Sequence, residues 1–167
     1  MLNLYHAFVQ SKLQYMISIW GAASQYKIRS LQTLQNRCLK AVYRKPRMYS
    51  TISLFEEAPA SVVPVAALRE KQTLIQMHKI LWHTSTHHNQ LFERTSHNHF
   101  TRNQSNLVMA RVNSEFGKRA FSYYGKKLYN ALPATLKGET NLKQFKNIMS
   151  RLVRLKLPNF LSWTNVI

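Results

Sequence analysis

Three groups of side chains in this sequence have chemistry beyond packing: seven histidines, six glutamates, and 24 lysines and arginines. Among the glutamates, Glu56 and Glu57 stand side by side, which invites an acid–base reading. Neighbours on a helix point about 100° apart, so these two carboxylates do not converge on one substrate atom. Five of the histidines, His83, His87, His88, His97 and His99, crowd into one polar stretch. His83 and His87 have the i, i+4 spacing of a zinc pair on a helix face, and His97 with His99 could supply further ligands. Polar loops also gather histidine without any metal, and neither an aspartate nor a second cysteine supports a site, so no metal or other cofactor is assigned. The cations stand apart from both groups: they outnumber the acids four to one, the net charge is +18, and the sequence contains no aspartate.

That charge is unevenly spread. Residues 1–50 hold eight basic and no acidic residues, 51–100 hold four of each, and 101–167 hold twelve basic and two acidic. A chain this basic repels itself unless a polyanion compensates, and nucleic acid is the commonest such partner. The elements that must position the cations are helices. From Ser24 to Arg47, at 100° per residue, Leu31, Leu34, Cys38, Leu39 and Val42 gather on one side. Arg29, Arg37, Lys40 and Arg44 fall within about 80° on the other. Ser24 is the expected N-cap and Pro46 the stop, with Lys45 and Arg47 extending the positive charge past the C-terminal end, where the macrodipole favours cations. A basic stripe is often only a solvated face; the shortage of carboxylates is what favours a binding face here.

Ahead of it, Leu2 to Trp20 reads as a helix whose apolar residues, Leu2, Tyr5, Phe8, Val9, Leu13, Tyr15, Met16, Ile19 and Trp20, cover more than half its circumference and leave a narrow strip of Asn3, Gln10, Gln14 and Ser18. Such a helix wants neighbours on more than one side, and it is a candidate surface for self-association. Gly21 is its expected C-cap, so it and the basic helix form an antiparallel hairpin. Ser50 or Thr51 caps a short helix, ISLFEEA, and Pro64 opens another running to about Trp82, with Val65, Leu68, Ile75, Leu81 and Trp82 toward the core. Further on, FGKRAFSYYGKKLYNA (116–131) interleaves Lys118, Arg119, Lys126 and Lys127 with Phe121, Tyr123, Tyr124 and Tyr129, a pattern that pairs phosphate contacts with base stacking; Gly125 weakens this helix. Asn141 and Gln144 make a capping-box signature. The helix they open places Leu142, Phe145, Ile148, Met149, Leu152 and Leu155 on one face and Lys143, Lys146, Arg151 and Arg154 on the other.

The expected architecture is an all-α, irregular bundle of about five to seven helices in two small lobes. An N-terminal lobe spans 1–83, a polar His/Asn-rich loop 84–106, a basic C-terminal lobe 107–158, and a tail 159–167. The lone Cys38 faces the apolar side of its helix as a small core residue in a reducing, intracellular setting, nucleus or cytoplasm. No uninterrupted apolar run reaches the roughly 18 residues of a membrane span, so no membrane partner is expected.

Three blocks carry a family resemblance. LYHAFVQSKLQYMISIWG, IRSLQTLQNRCLKAVYRKPR, and FGKRAFSYYGKKLYNALP leading into NLKQFK occur in the order found after the polymerase core of reverse transcriptases from non-LTR retrotransposons, of the jockey and LINE-like type. The similarity spans roughly Leu2 to Leu155. It departs at Met16, where the family usually has Gly in a Tyr-Gly pair, a change expected to affect helix packing only, and at Lys126, where Pro is common. The resemblance implies an α-helical thumb and post-thumb segment that helps hold template RNA and the RNA/DNA hybrid beside a palm and fingers lying outside this chain. The family's catalytic residues do not carry over. Its palm holds two Mg²⁺ ions with aspartates, including those of a Tyr-x-Asp-Asp motif, and no aspartate is present here. The expectation is therefore a non-catalytic piece of an RNA-directed DNA polymerase that binds RNA, RNA/DNA hybrid or DNA. The other readings are a domesticated or unrelated basic helical module that binds RNA, or one that binds protein through its first helix.

Overall fold

The structure, a computed structural model, describes residues 1–83, 92–94 and 106–155. Among these residues the fold is an all-α irregular bundle, and its strand-like pairing is a single antiparallel bridge between Arg94 and Leu107. Two of the expected helices, the first and that over 116–131, are broken into shorter pieces. The elements in order are α1 (Leu2–Tyr5), a π turn (His6–Gln10), α2 (Ser11–Gln14), α3 (Ile17–Trp20), α4 (Gln25–Val42), α5 (Thr51–Glu57), α6 (Val65–His83), α7 (Glu115–Arg119), α8 (Phe121–Asn130), α9 (Ala134–Lys137) and α10 (Leu142–Leu155). The chain forms two compact units, divided differently from the sequence expectation. Unit 1 is Met1–Lys71 with the residues from Ser150 on, and unit 2 is Gln72–Met149. Both boundaries fall inside helices, α6 and α10, because each helix carries apolar residues into two separate cores. The expected linker, apart from 92–94 and Asn106, and the tail lie outside the described residues.

In unit 1 the first predicted helix is not one rod. The π turn adds a residue to the span between α1 and α2, and Gln10, expected on the polar strip, is buried with its Nε2 donating to the Ser61 carbonyl at 3.2 Å. The helix then ends at Tyr15, and Met16 takes the left-handed conformation, φ 53° and ψ 24°, before α3 begins. The Trp20 indole donates back to the Tyr15 carbonyl at 2.6 Å. The part Met16 plays thus goes beyond the packing effect expected of it: it stands at positive φ, where glycine is the unstrained residue. Replacing it should relieve that strain at little packing cost, because its side chain is half exposed. Met16→Gly is expected to stabilise the chain by about 1 kcal/mol, read as a higher urea midpoint with unchanged slope. A lower midpoint would show that the Met16 side chain contributes more than its backbone costs.

Gly21 does close α3, but in the right-handed region, φ −63°; a Cβ there would press on the Ile17 carbonyl and lie 2.8 Å from the Arg69 Cδ, so close approach is what calls for glycine. Among the described residues the core of unit 1 includes two clusters. Tyr5, Leu39, Leu54, Phe55, Ala58 and Val62 make one, and Ile17, Val63, Val65, Ala67, Leu68 and Val153 the other. Buried amides tie them together. Gln35 Nε2 donates to the Tyr5 hydroxyl and the Val63 carbonyl, both at 2.9 Å, while Gln32 Nε2 donates to Gln35 Oε1 at 2.9 Å and Gln32 Oε1 accepts from the Val65 amide at 2.7 Å. Burial pushes the Tyr5 phenol up to about 12, against the lowering effect of its bond to Gln35. The inward face of α4 is accordingly Gln32, Gln35 and Leu39, and Leu34, expected inside, is exposed.

The first helix leaves apolar surface uncovered: Leu4, Phe8, Tyr15 and Ile19 are exposed, Phe8 by 70% and Tyr15 by 74%. This agrees with the sequence expectation that its apolar girth exceeds what one neighbour can cover.

Unit 2 is built on Thr73, Leu74, Ile75, Met77, His78, Phe92, Leu107, Tyr129, Phe145 and Met149, all buried. Gly125, whatever it costs in helix propensity, is also a contact point. A Cβ there would lie 2.8 Å from Met77 Sδ and 3.6 Å from Thr73 Cγ2, so its absence lets α8 close on α6. Asn130 behaves as a strand partner for Leu107, donating to its carbonyl at 3.0 Å and accepting from its amide at 2.8 Å. Lys137 is buried, its Nζ donating to Asn106 Oδ1 at 2.7 Å and to the Asn130 carbonyl at 2.9 Å, and burial pushes its pKa down. Asn141 caps α10 as expected, its Oδ1 accepting from the Lys143 and Gln144 amides. The Asn141 amide itself donates to Glu139 Oε1 at 2.7 Å rather than to the Gln144 side chain of the expected box.

Candidate nucleic-acid interface

In unit 1 the cations gather on α4 and the turn behind it. Arg29 and Arg37 are exposed on α4, eight residues and so about 12 Å apart, three to four nucleotide steps at about 3.4 Å rise. Lys40 is half-buried and its Nζ donates to the Arg47 carbonyl at 2.7 Å, which pins the turn. The helix is stopped by Arg44 rather than by Pro46. Arg44 has φ 53°, its amide donates to the Ala41 carbonyl at 3.2 Å and the Lys45 amide to the Lys40 carbonyl at 2.8 Å, a Schellman closure with arginine where glycine is usual. Arg44 therefore leaves the helical arc on which the 100° wheel had placed it, yet it and Arg47 are exposed at the same end. Lys45 is less available: its Nζ is 2.8 Å from Glu57 Oε2 and 4.4 Å from the centre of the Tyr49 ring, and the Tyr49 hydroxyl also bonds Glu57. The bonds to Lys45 and Tyr49 hold the Glu57 carboxyl below its usual range.

The α10 cations that belong to unit 1 divide the same way. Arg151 is exposed. Arg154 is a structural tie, its Nη2 donating to the Glu56 and Ala58 carbonyls at 3.0 and 2.9 Å, where it satisfies the carboxyl end of α5.

In unit 2, Lys127, Lys143 and Lys146 are exposed. Lys118 is exposed too and paired with Glu115 at 2.6 Å. Arg119 is half-buried, and Lys126, also half-buried, lies 5.5 Å from the centre of the Phe92 ring. Of the interleaved aromatics, Tyr129 is buried and donates to the Lys137 carbonyl, while Phe121, Tyr123 and Tyr124 are half-buried. The exposed aromatic of this block is Phe116, at 72%. Sequence patterning passed over it because it precedes the alternating run, just after the Ser114 cap.

Of the two histidines with the spacing of a zinc pair, His83 ends α6 with its ring 5.5 Å from His78, and His87, with His88, His97 and His99, lies outside the described residues. His78 is a core histidine, its Nε2 2.8 Å from the Glu139 carbonyl oxygen and its ring stacked on Phe145 at 4.3 Å; burial holds its pKa below the usual imidazole value. Among the described residues no three of His, Cys, Asp and Glu come together as a metal site, and no helix is long and apolar enough to cross a membrane. No protein-family model, curated protein or solved structure matches the chain.

Proposed function

We propose that this chain binds nucleic-acid phosphates through exposed helical cations and has no phosphoryl-transfer centre of its own. On this reading it is the thumb and post-thumb portion of a non-LTR retrotransposon reverse transcriptase. The family part rests on the three sequence blocks named above. The observation that carries the binding part is the outward array of Arg29, Arg37, Arg44 and Arg47 along and behind α4, in a chain whose net charge leaves eighteen cations without a carboxylate each. Arg44 adds weight, because an arginine held at positive φ costs stability that glycine would save. Contacts of this kind position a strand and read little sequence.

The test is binding of RNA and of RNA/DNA hybrid across a salt series. Each phosphate neutralised contributes about 0.7 to 0.9 to the slope of log K against log salt. A variant carrying Arg29→Ala, Arg37→Ala and Arg44→Gly should lower that slope by about 2.1 to 2.7, while Arg44→Gly alone should bind more weakly and unfold at higher urea. A triple variant with the parental slope would remove α4 from the interface.

The exposed Phe8 and Tyr15 favour a second reading, a protein-interaction module that works through the first helix. Complexes that survive nuclease treatment but are lost in Phe8→Glu would support it over the first.

A further inference from the structure

We propose that Phe116 is a stacking platform for an unpaired nucleobase, with Lys118 and Lys127 meeting the adjoining phosphates. The inference rests on the nucleic-acid reading above and names the part of the strand that unit 2 takes. The ring is held out from a fixed backbone: Ser114 Oγ accepts from the Gly117 amide at 3.1 Å, the Ser114 carbonyl from the Lys118 amide at 3.1 Å, and the Phe116 carbonyl from the Ala120 amide at 3.2 Å. Cations lie close to it in sequence. Glu115, next in sequence, is bonded to Lys118 at 2.6 Å, and its carboxyl is held below the usual range first by Lys118 and then by the charges of Arg119 and Lys127. Positive charge thus converges on the carboxylate of the residue before the ring, and a phosphate could take up Lys118 in its place.

A base is favoured over a protein or lipid partner by what the ring lacks. Apolar docking surfaces are contiguous patches. The other large apolar side chain exposed among the described residues of unit 2 is Val108, too little for a broad apolar docking patch. One aromatic face beside cations suits a nucleobase, since every base offers a π face and carries its phosphate with it. Paired bases are closed to such contact, so the site selects single strand.

The experiment measures affinity of the full chain for a short single-stranded RNA and for a blunt RNA duplex of the same length. Phe116→Ala should weaken single-strand binding about tenfold, leave duplex binding unchanged and leave the salt slope unchanged, because stacking releases no counterions. Phe116→Trp should restore affinity, and Phe116→Leu, apolar but unable to stack, should behave like Ala. Lys127→Ala should instead lower the slope by about 0.7. Phe116→Leu binding as tightly as the parent, equal losses on duplex and single strand, or a loss confined to anionic vesicles would each overturn the proposal. If the parent binds no nucleic acid, the proposed function falls with it; if it binds and Phe116→Ala is indifferent, only this inference falls.

Discussion

Gln35→Leu is expected to cost about 3 kcal/mol of unfolding free energy, although it puts an apolar side chain of similar size into a buried position. The Gln35 amide donates to the Tyr5 hydroxyl and the Val63 carbonyl and accepts from Gln32, and all three groups lose that partner in the variant. Each buried polar group left unpaired costs about 1–3 kcal/mol, and the added apolar burial returns only about 1–2 kcal/mol. A double-mutant cycle with Tyr5→Phe separates the contributions. Removing the hydroxyl removes one orphan, so the pair should be about 1 kcal/mol less damaging than the sum of the singles. A neutral Gln35→Leu would mean that water satisfies these groups and that the amide network does not specify unit 1.

The second large effect is expected in unit 2. Gly125→Leu should destabilise by about 3 kcal/mol, because its side chain must enter space that Met77 and Thr73 already fill. Gly125→Ala is the informative companion. Alanine gains about 1 kcal/mol of helix propensity, and the nearest obstacle is a flexible thioether, so its net cost should be within about 1 kcal/mol. Urea midpoints of the two variants check the ordering. A Leu variant as stable as the Ala variant would show that α8 can move off α6 at little cost.

Much of the framework was legible because it depends on local signals. Ser50 and Asn141 cap the helices they precede, Pro64 stands just before α6, and the apolar face of α10 does place Phe145 and Met149 in a core. What escaped the sequence depends on partners distant along the chain or on backbone geometry that side-chain type does not encode. Gln32 and Gln35 read as polar surface on a helical wheel, yet their partners, Tyr5, Val63 and Val65, lie about 30 positions away. Met16 and Arg44 carry no mark of positive φ, since glycine is the residue that advertises it.

The candidate interface follows the same division. Exposure of Arg29 and Arg37 could be read from periodicity. The engagement of Arg154 and Lys137 could not, because backbone carbonyls and an asparagine, rather than carboxylates, receive their donors.

The π turn at His6–Gln10 has a consequence for any comparison of this chain with another. It amounts to one residue inserted into an α-helix, so the heptad positions of α1 and of α2 belong to different frames. Deleting Ala7 would rejoin the frames as a continuous α-helix and swing Tyr5 about 100° relative to Leu13. A related chain without the turn would align only through a one-residue gap in mid-helix, a place where gaps are ordinarily penalised. An ungapped alignment would then pair Tyr5, a core residue of unit 1, with the wrong neighbour, and every identity upstream of it would be lost.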